Sequence, residues 1–271
     1  MEVSLEEIKK NKLDAETLNI AVRILNEAGY VVLEKVLPLK LMKNIRSVLE
    51  KRHEKNGEEI TLMSMPFLDP RIIDNPLAMQ IIKEVMGDKF FSYLPYGFNT
   101  TTRDARYGTV NGEESDTQWI HRDSSQLFPG FPIALPVSKI VVNIPLVDFT
   151  VENGCTELWP GSHLIVDPPV DINDPYHAYN VCSEERAAAL PSVRLIMPAG
   201  SVVVRDMRCW HRAMPNHTDE IRTMIAIVYL RRFYNAMGDH GVFRSGIPEG
   251  MWVQMSERAQ NVYRFHSVIE Q

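Results

Sequence analysis

The sequence predicts a mainly β protein, a jelly-roll barrel with α-helices packed against it from the N-terminal side. Apolar residues recur at helical spacing up to about residue 89. Short β-branched and aromatic runs, separated by Gly, Pro, Asn and Asp, follow from about residue 90. No repeat or flexible linker divides the 271 residues, so we expect one domain over 1–271, with a helical scaffold over about 1–89, a barrel core over about 90–235 and a C-terminal extension over 236–271.

Three helices are predicted in the scaffold. Asp14 is a suitable N-cap for a helix that runs to about Ala28, where Gly29 ends it. A further helix is expected to begin near Asn75-Pro76 and to end at Gly87. Between them, after Pro38, lies a second apolar stripe made of Leu41, Met42, Ile45, Val48 and Leu49.

Eight short strands are predicted after the helices, which is the number and spacing typical of a jelly roll closed into a barrel. They are Phe91 to Phe98, Thr117 to His121, Lys139 to Pro145, Thr156 to Trp159, Val193 to Ile196, Ser201 to Arg205, Cys209 to Ala213 and Arg222 to Arg232.

Composition excludes several classes of protein. A net charge of -6 with dispersed basic residues argues against nucleic-acid binding. No apolar stretch is long enough to span a bilayer, and the charged N-terminus lacks the apolar core of a secretion signal. Three widely spaced cysteines indicate neither a disulfide framework nor a zinc knuckle. We expect a cytoplasmic protein that contacts no membrane, and the sequence leaves its oligomeric state open.

A candidate metal site is formed by His121, Asp123 and a distant third residue, His211. Residues two apart in a strand point to the same face, so His121 and Asp123 can bind one ion together. Two imidazoles and one carboxylate are the ligands of non-haem Fe(II) oxygenases. The alternative is a capped strand end with a surface carboxylate. The similar tripeptide His217-Thr218-Asp219 lies in a polar stretch without strand context.

Further motifs surround this candidate site: Glu152-Asn153-Gly154-Cys155, Leu158-Trp159-Pro160-Gly161-Ser162-His163, and Arg222, eleven residues after His211. With the opening Glu27-Ala28-Gly29-Tyr30-Val31-Val32-Leu33, they resemble the phytanoyl-CoA dioxygenase (PhyH) family of Fe(II)- and 2-oxoglutarate-dependent oxygenases over most of the chain.

The resemblance implies a fold, a chemistry and a set of roles. The fold is a double-stranded β-helix, a cupin-like barrel. Fe(II) is held by His121, Asp123 and His211, with 2-oxoglutarate as cosubstrate and O2 as oxidant, and a small-molecule substrate is hydroxylated with release of succinate and CO2. His163 is not an iron ligand in the family. Related halogenating enzymes lack the carboxylate ligand, so Asp123 favours hydroxylation or another oxidation.

Three residues are candidates for binding the cosubstrate. Arg222 opens a strand that is apolar on both faces, where a guanidinium is either a clamp for the distal carboxylate of 2-oxoglutarate or a surface residue. Asn143 interrupts another apolar strand and is expected to bond to 2-oxoglutarate or a ligand carboxylate, or to mark a β-bulge. Thr218 offers a hydroxyl to the cosubstrate or stabilises a turn.

Substrate contacts are expected from Arg122, Trp119, Trp210 and Phe128, with packing as the alternative role for the tryptophans. Phe128 belongs to a Pro- and Gly-rich loop, Ser124 to Pro136, which is either a lid or a packed surface loop. Two other functions stay open at this point. They are a non-redox enzyme, such as a hydrolase or isomerase, with a divalent metal in the same triad, and a non-catalytic binding domain.

Overall fold

Two antiparallel sheets carry most of the strands in the computed structural model, which describes residues 1–54, 62–110, 113–128, 130–166, 181–236 and 245–270. The larger sheet has six strands and the smaller has three. The strands are β1 Tyr30–Leu33, β2 Phe91–Ser92, β3 Gly97–Thr101, β4 Thr109–Val110, β5 Glu113–Glu114, β6 Lys139–Pro145, β7 Glu157–Leu158, β8 Val193–Arg194, β9 Val202–Asp206, β10 His211–Arg212, β11 Arg222–Leu230, β12 Ile247–Pro248 and β13 Val268–Ile269.

The predicted helices are confirmed with their caps. The N-cap Asp14 accepts a hydrogen bond from the Thr17 amide at 2.8 Å, and Gly29 ends the helix with φ 85°, a left-handed conformation that favours glycine. Asn75 caps the third predicted helix. The described helices are α1 Leu5–Lys10, α2 Ala15–Ala28, α3 Leu39–Glu54, α4 Pro70–Ile73, α5 Pro76–Met86, α6 Glu184–Ala187, α7 Phe233–Ala236, α8 Glu249–Trp252 and α9 Glu257–Val262, with a 3₁₀ turn at Ser162–Leu164. None of the helices in these ranges is long and apolar enough to cross a membrane.

The larger sheet runs in the order β1-β9-β6-β11-β2, and β3 also pairs with β11. Its centre is formed by the long strands β6 and β11, which pair from Met224 opposite Pro145 to Leu230 opposite Lys139. The smaller sheet has the order β10-β7-β8 and shares no strand with the larger one. The antiparallel sheets of a jelly roll are thus present, whereas a closed barrel stays a prediction.

The short strands differ in length from the predicted ones, and the prediction of a strand from Thr117 to His121 is wrong. Residues Thr117 to Ile120 form no strand, and only His121 makes an isolated bridge. The Gln118 side chain explains the interruption, because its Oε1 accepts the hydrogen bond of the Ala213 amide at 3.0 Å in place of a backbone carbonyl. The predicted strand from Phe91 to Phe98 is two strands, β2 and β3, with Pro95, which has no N–H to donate, between them.

The larger sheet has two buried faces. Alternate side chains such as Ile140, Val142 and Ile144 pack in the main core with the helices. The opposite face contributes Val203 and Met224 to a second apolar cluster, which Phe149 joins from the following loop. This second face is the one that carries the polar residues of the candidate site.

Candidate active site

Backbone pairing brings the two predicted histidine ligands together. The His121 amide donates to the His211 carbonyl at 3.1 Å, and the His211 amide donates to the His121 carbonyl at 2.8 Å. Residues paired in this way project side chains to the same face, and the two imidazole centroids are 4.3 Å apart. One isolated bridge therefore joins ligands that are 90 positions apart in the chain.

Asp123 completes the triad from the bend that follows His121. Its Oδ1 lies 3.4 Å from His211 Nε2 and 3.7 Å from His121 Nε2. One potential ligand atom from each residue lies within 4.8 Å of the others. Two nitrogens and one carboxylate oxygen around a common point are a suitable donor set for a divalent transition metal.

Hydrogen bonds to the backbone fix the orientation of both imidazoles. His121 Nδ1 lies 3.0 Å from the Trp119 carbonyl, and His211 Nδ1 lies 3.1 Å from the Cys209 carbonyl. Donation from Nδ1–H leaves the lone pair on Nε2, which is how ligating histidines are oriented in metal sites. Burial, together with the neighbouring His211, lowers the pKa of His121 to about 4, so this imidazole is neutral at pH 7.

Arg205 is a buried partner of the triad that the sequence reading missed. Its Nη2 donates to Asp123 Oδ2 at 2.6 Å, and its Nη1 lies 3.1 Å from His211 Nδ1. Although burial alone would raise the pKa of Asp123, the charges of His211 and Arg205 hold it well below its ordinary value. The available signal was a charged residue directly after Val202-Val203-Val204, in a strand that is buried on both faces.

The triad opens into a cavity of about 380 Å³. Its wall combines neutral polar side chains, a few apolar ones and one additional cation, Arg222. Tyr107 and Asn99 were not recognised from the sequence, because they lie in a loop and a short strand far from the motifs, and Gln118 was assigned only to the predicted strand before His121. The lining residues are Phe98, Asn99, Thr100, Thr101, Tyr107, Gln118, His121, Asp123, Thr156, His211, Ala213, Arg222 and Met224.

Arg222 is buried without an acidic partner. The residue is 2 % exposed, its Nη2 donates to Thr101 Oγ1, and its guanidinium lies 4.8 Å from the centre of the Phe149 ring. Nε and Nη1 have no hydrogen-bond acceptor among the described residues. Burial lowers the pKa of Arg222, because the charged form loses its hydration. A buried guanidinium with two free donors fits the carboxylate of an anionic ligand.

The structure does not bring the other two predicted cosubstrate residues to this cavity. Asn143 is buried in the regular register of β6, and its Nδ2 donates to the Ile225 carbonyl at 3.4 Å. Thr218 lies in a turn, where both its amide and its hydroxyl donate to Asn216 Oδ1, at 2.9 and 2.8 Å. Neither residue lines the cavity.

The four predicted substrate residues fall into two groups. Arg122 and Trp210 are each 1 % exposed, and the guanidinium lies 5.5 Å from the indole centre, so both are packing residues of the interior. Trp119 is 45 % exposed, and its ring centroid lies 6.5 Å from that of His121. Phe128 is 59 % exposed in the loop after the triad.

Two other histidines that the motifs pointed to, His163 and His217, lie away from the triad. His163 is buried, and its Nε2 lies 3.1 Å from the Asn26 carbonyl, close to the helix end at Gly29. In the second His-x-Asp tripeptide, Asp219 pairs with Arg103 at 2.6 Å and not with His217. Within the part of the chain that the structure describes, His121, Asp123 and His211 are the only group of side chains that could hold a metal ion.

Two oriented imidazoles, a carboxylate and a buried guanidinium line one cavity, an arrangement typical of a metal-dependent enzyme. Residues 109–224 match the phytanoyl-CoA dioxygenase (PhyH) family. This range includes all four of these residues. The resemblance to this family that the motifs indicated is confirmed over the matched residues.

Relatives and solved structures agree with the assignment. Dioxygenase aneA of Aspergillus aculeatus is 31 % identical over 174 residues, which cover 56 % of this chain and 55 % of aneA, so the match spans about half the length of that relative. The non-heme alpha-ketoglutarate-dependent carbocyclase SnoK from nogalamycin biosynthesis is similar with a TM-score of 0.57 at 22 % identity, covering 81 % of this chain and 84 % of SnoK. The epimerase SnoN, in complex with Fe3+, alpha-ketoglutarate and nogalamycin RO, gives 0.59 at 19 % identity, covering 80 % and 85 %. These two structures support the jelly-roll fold.

Proposed function

We propose that the protein is an Fe(II)- and 2-oxoglutarate-dependent dioxygenase that hydroxylates a small molecule and releases succinate and CO2. The observation that carries this proposal is the cavity itself, which is lined by the three candidate iron ligands and by the unpaired Arg222. In the proposal His121, Asp123 and His211 hold Fe(II), and Arg222 binds the distal carboxylate of 2-oxoglutarate.

The donor set favours iron over a purely structural ion. A face made of two imidazole nitrogens and one carboxylate oxygen leaves other positions of a six-coordinate ion open. When bound, the iron supplies the activation of O2 that couples oxidative decarboxylation of 2-oxoglutarate to oxidation of a substrate C–H bond. Because the carboxylate of Asp123 takes the position that a halide requires, the proposed outcome is oxidation and not halogenation.

The residues of the chain do the binding and the orientation. The carbonyls of Trp119 and Cys209 hold the imidazoles with Nε2 towards the shared point. When a carboxylate accepts hydrogen bonds from Nε and Nη1, the two unpaired donors of Arg222 gain partners. Binding of a dianion therefore recovers part of the free energy that burial of the cation costs. A non-redox reaction at the same triad does not need this second anion site.

The substrate approaches, in this proposal, past Trp119 and Phe128, because both have exposed rings in the segments before and after the triad. Trp119 also contacts His121 directly. The similar proteins are a dioxygenase, a carbocyclase from nogalamycin biosynthesis and an epimerase in complex with nogalamycin RO. In line with these, we propose a small organic molecule as the substrate and oxidation of one of its C–H bonds as the reaction.

Succinate formation tests the proposal. The full chain is incubated aerobically with Fe(II) and 2-oxoglutarate, first alone and then with a panel of small molecules, and succinate is quantified. We expect slow release without substrate, faster release with an accepted substrate, and none with Asp123→Ala. Succinate formation equal to that of Asp123→Ala across the panel, in a protein that binds the metal, would move the function to the non-redox class.

A further inference from the structure

Arg205 lies on the inner face of the larger sheet, directly after the three valines that begin β9. Its side chain is 5 % exposed. Val203 is two residues earlier and packs in the inner cluster with Phe149 and Met224. Since side chains alternate along a strand, Arg205 points to the same face as Val203 and not towards the helices.

The guanidinium contacts two members of the triad at once. Nη2 donates to Asp123 Oδ2 at 2.6 Å, and Nη1 lies 3.1 Å from His211 Nδ1. The other oxygen of the carboxylate, Oδ1, is the one that faces His211 Nε2 at 3.4 Å and His121 Nε2 at 3.7 Å. Arg205 therefore contacts one oxygen of Asp123, and the imidazoles face the other.

A second buried arginine shows what a purely structural pair looks like in the same region. Arg208 contacts both oxygens of Asp206, from Nε to Oδ1 at 3.0 Å and from Nη2 to Oδ2 at 2.7 Å. Its Nη1 also donates to Gln126 Oε1 and to the Leu135 carbonyl. That pair uses the whole carboxylate and touches no residue of the triad, whereas Arg205 uses one oxygen and leaves the other available.

His211 contacts the guanidinium of Arg205 as well. Its Nδ1 lies 3.1 Å from both the Cys209 carbonyl and Arg205 Nη1. As N–H it donates to the carbonyl, and without the proton it accepts from the guanidinium, so the tautomer decides which bond forms. The tautomer that donates to Cys209 leaves Nε2 free as a ligand, and the other tautomer places the proton on Nε2. Arg205 thus lies against both the carboxylate and one imidazole of the site.

We propose that Arg205 is a positioning residue, which holds Asp123 by Oδ2 so that the carboxylate offers a single oxygen to the metal and leaves a position for the cosubstrate. This inference rests on the proposed function, because it concerns how the same triad accepts its ligands. Without the guanidinium both oxygens are free to turn towards the ion. The substitution also removes a positive charge that repels a divalent metal ion at the triad. Metal binding is then retained while binding of 2-oxoglutarate weakens.

The test uses the full chain loaded with Co(II), whose visible spectrum reports the number and arrangement of its ligands. The variants are Arg205→Met, which keeps the length and removes the charge, and Arg205→Lys, which keeps the charge without the planar fork. Arg208→Met is the matched control, because it breaks a buried arginine pair in the same segment without touching the triad. Co(II) affinity, the Co(II) spectrum and 2-oxoglutarate affinity are measured for each.

We expect Arg205→Met to keep Co(II) affinity, to change the Co(II) spectrum and to bind 2-oxoglutarate about tenfold or more weakly. Arg205→Lys should recover part of that affinity, and Arg208→Met should resemble the wild type in all three measurements. A wild-type spectrum and wild-type 2-oxoglutarate affinity in Arg205→Met would overturn the inference, and so would the same result in Arg205→Lys if the Met variant does not fold. Failure of the wild-type protein to bind 2-oxoglutarate at all would instead overturn the proposed function, and the spectra alone would then decide whether Arg205 positions Asp123.

Discussion

The two ends of the cavity differ in how complete they are without a ligand. At the triad, Asp123 pairs with Arg205, and each imidazole Nδ1 lies at hydrogen-bond distance from a backbone carbonyl. At the other end Arg222 is buried, but its Nε and Nη1 lack acceptors among the described residues. The first end is assembled by the protein alone, whereas at the second the described part of the chain leaves two buried donors without acceptors.

The two ends of the cavity should differ in how much free energy they gain when a ligand binds. A charge that is buried and paired gives little to a ligand, because its partner already compensates the lost hydration. A buried cation with free donors has paid that desolvation cost in advance, so an incoming carboxylate gains a strong, oriented contact. Variants at the two ends should therefore affect different steps.

The largest effect is expected from removal of a triad ligand. Asp123→Ala and His211→Ala should each lose Fe(II) binding at stoichiometric metal, because two remaining ligands do not hold the ion. His217→Ala is the matched control, since His217 belongs to the tripeptide whose carboxylate pairs with Arg103. His163→Ala should likewise retain the metal. Metal content after anaerobic gel filtration gives the answer, and equal loss in His217→Ala would contradict the assignment.

The next effect is expected at the opposite end. Arg222→Ala should leave Fe(II) affinity nearly intact and weaken 2-oxoglutarate binding by about 2 to 5 kcal/mol, the usual cost of removing one partner from a buried charge pair. Arg222→Lys should recover only part of the loss, because ammonium lacks the bidentate fork. Anaerobic titration of the Fe(II)-loaded variants measures it. Wild-type affinity in Arg222→Ala would show that the anion is bound elsewhere.

Stability of the ligand-free protein gives a smaller contrast between the two arginines. Arg205→Met leaves Asp123 without its partner and should cost up to about 3 kcal/mol, since Asp123 is partly exposed and water compensates some of the loss. Arg222→Met removes an unpaired buried charge and should be neutral or stabilising. Urea unfolding without metal or 2-oxoglutarate compares them. Equal destabilisation by both substitutions would remove the distinction between a paired and an unpaired end.

The smallest effect concerns the loop from Ser124 to Pro136, within which Pro129 lies outside the described residues. The loop is attached at its ends, through the Ser124 amide to the Met207 carbonyl and through Arg208 to the Leu135 carbonyl. Between these points Phe128, Phe131 and Ile133 are exposed. We expect its central amides to exchange hydrogen faster than those of β6 and to become protected with an accepted substrate. Unchanged exchange on substrate binding would leave the loop as scaffold.

Sequence reasoning recovered the long elements and the triad, and it failed for contacts made over distance. Asp14, Gly29 and Asn75 give local signals for helix ends, and β6 was predicted at its observed bounds. The two-residue strands of the smaller sheet depend on partners far along the chain, so their lengths could not be predicted locally.

Some site residues were missed for the same reason, because their contacts join distant parts of the sequence. Arg205 meets Asp123 across 82 positions of sequence. Tyr107 reaches the cavity beside Arg222 only because its hydroxyl bonds to Thr101 Oγ1 at 2.9 Å. Asn143 and Thr218 were predicted to bind the cosubstrate because they are polar. In the structure Asn143 donates to a backbone carbonyl and Thr218 donates to Asn216 within a turn.

The central claim is that one cavity binds Fe(II) at the triad and 2-oxoglutarate between the metal and Arg222. Anaerobic titration of the full chain with Fe(II) and then 2-oxoglutarate tests it most directly, because chelation of the cosubstrate gives a visible metal-to-ligand charge-transfer band. We predict that the band appears with saturation at one equivalent of Fe(II), is absent in Asp123→Ala, and requires more 2-oxoglutarate in Arg222→Ala. Stoichiometric Fe(II) binding without any such band, at 2-oxoglutarate concentrations that saturate related enzymes, would contradict the account.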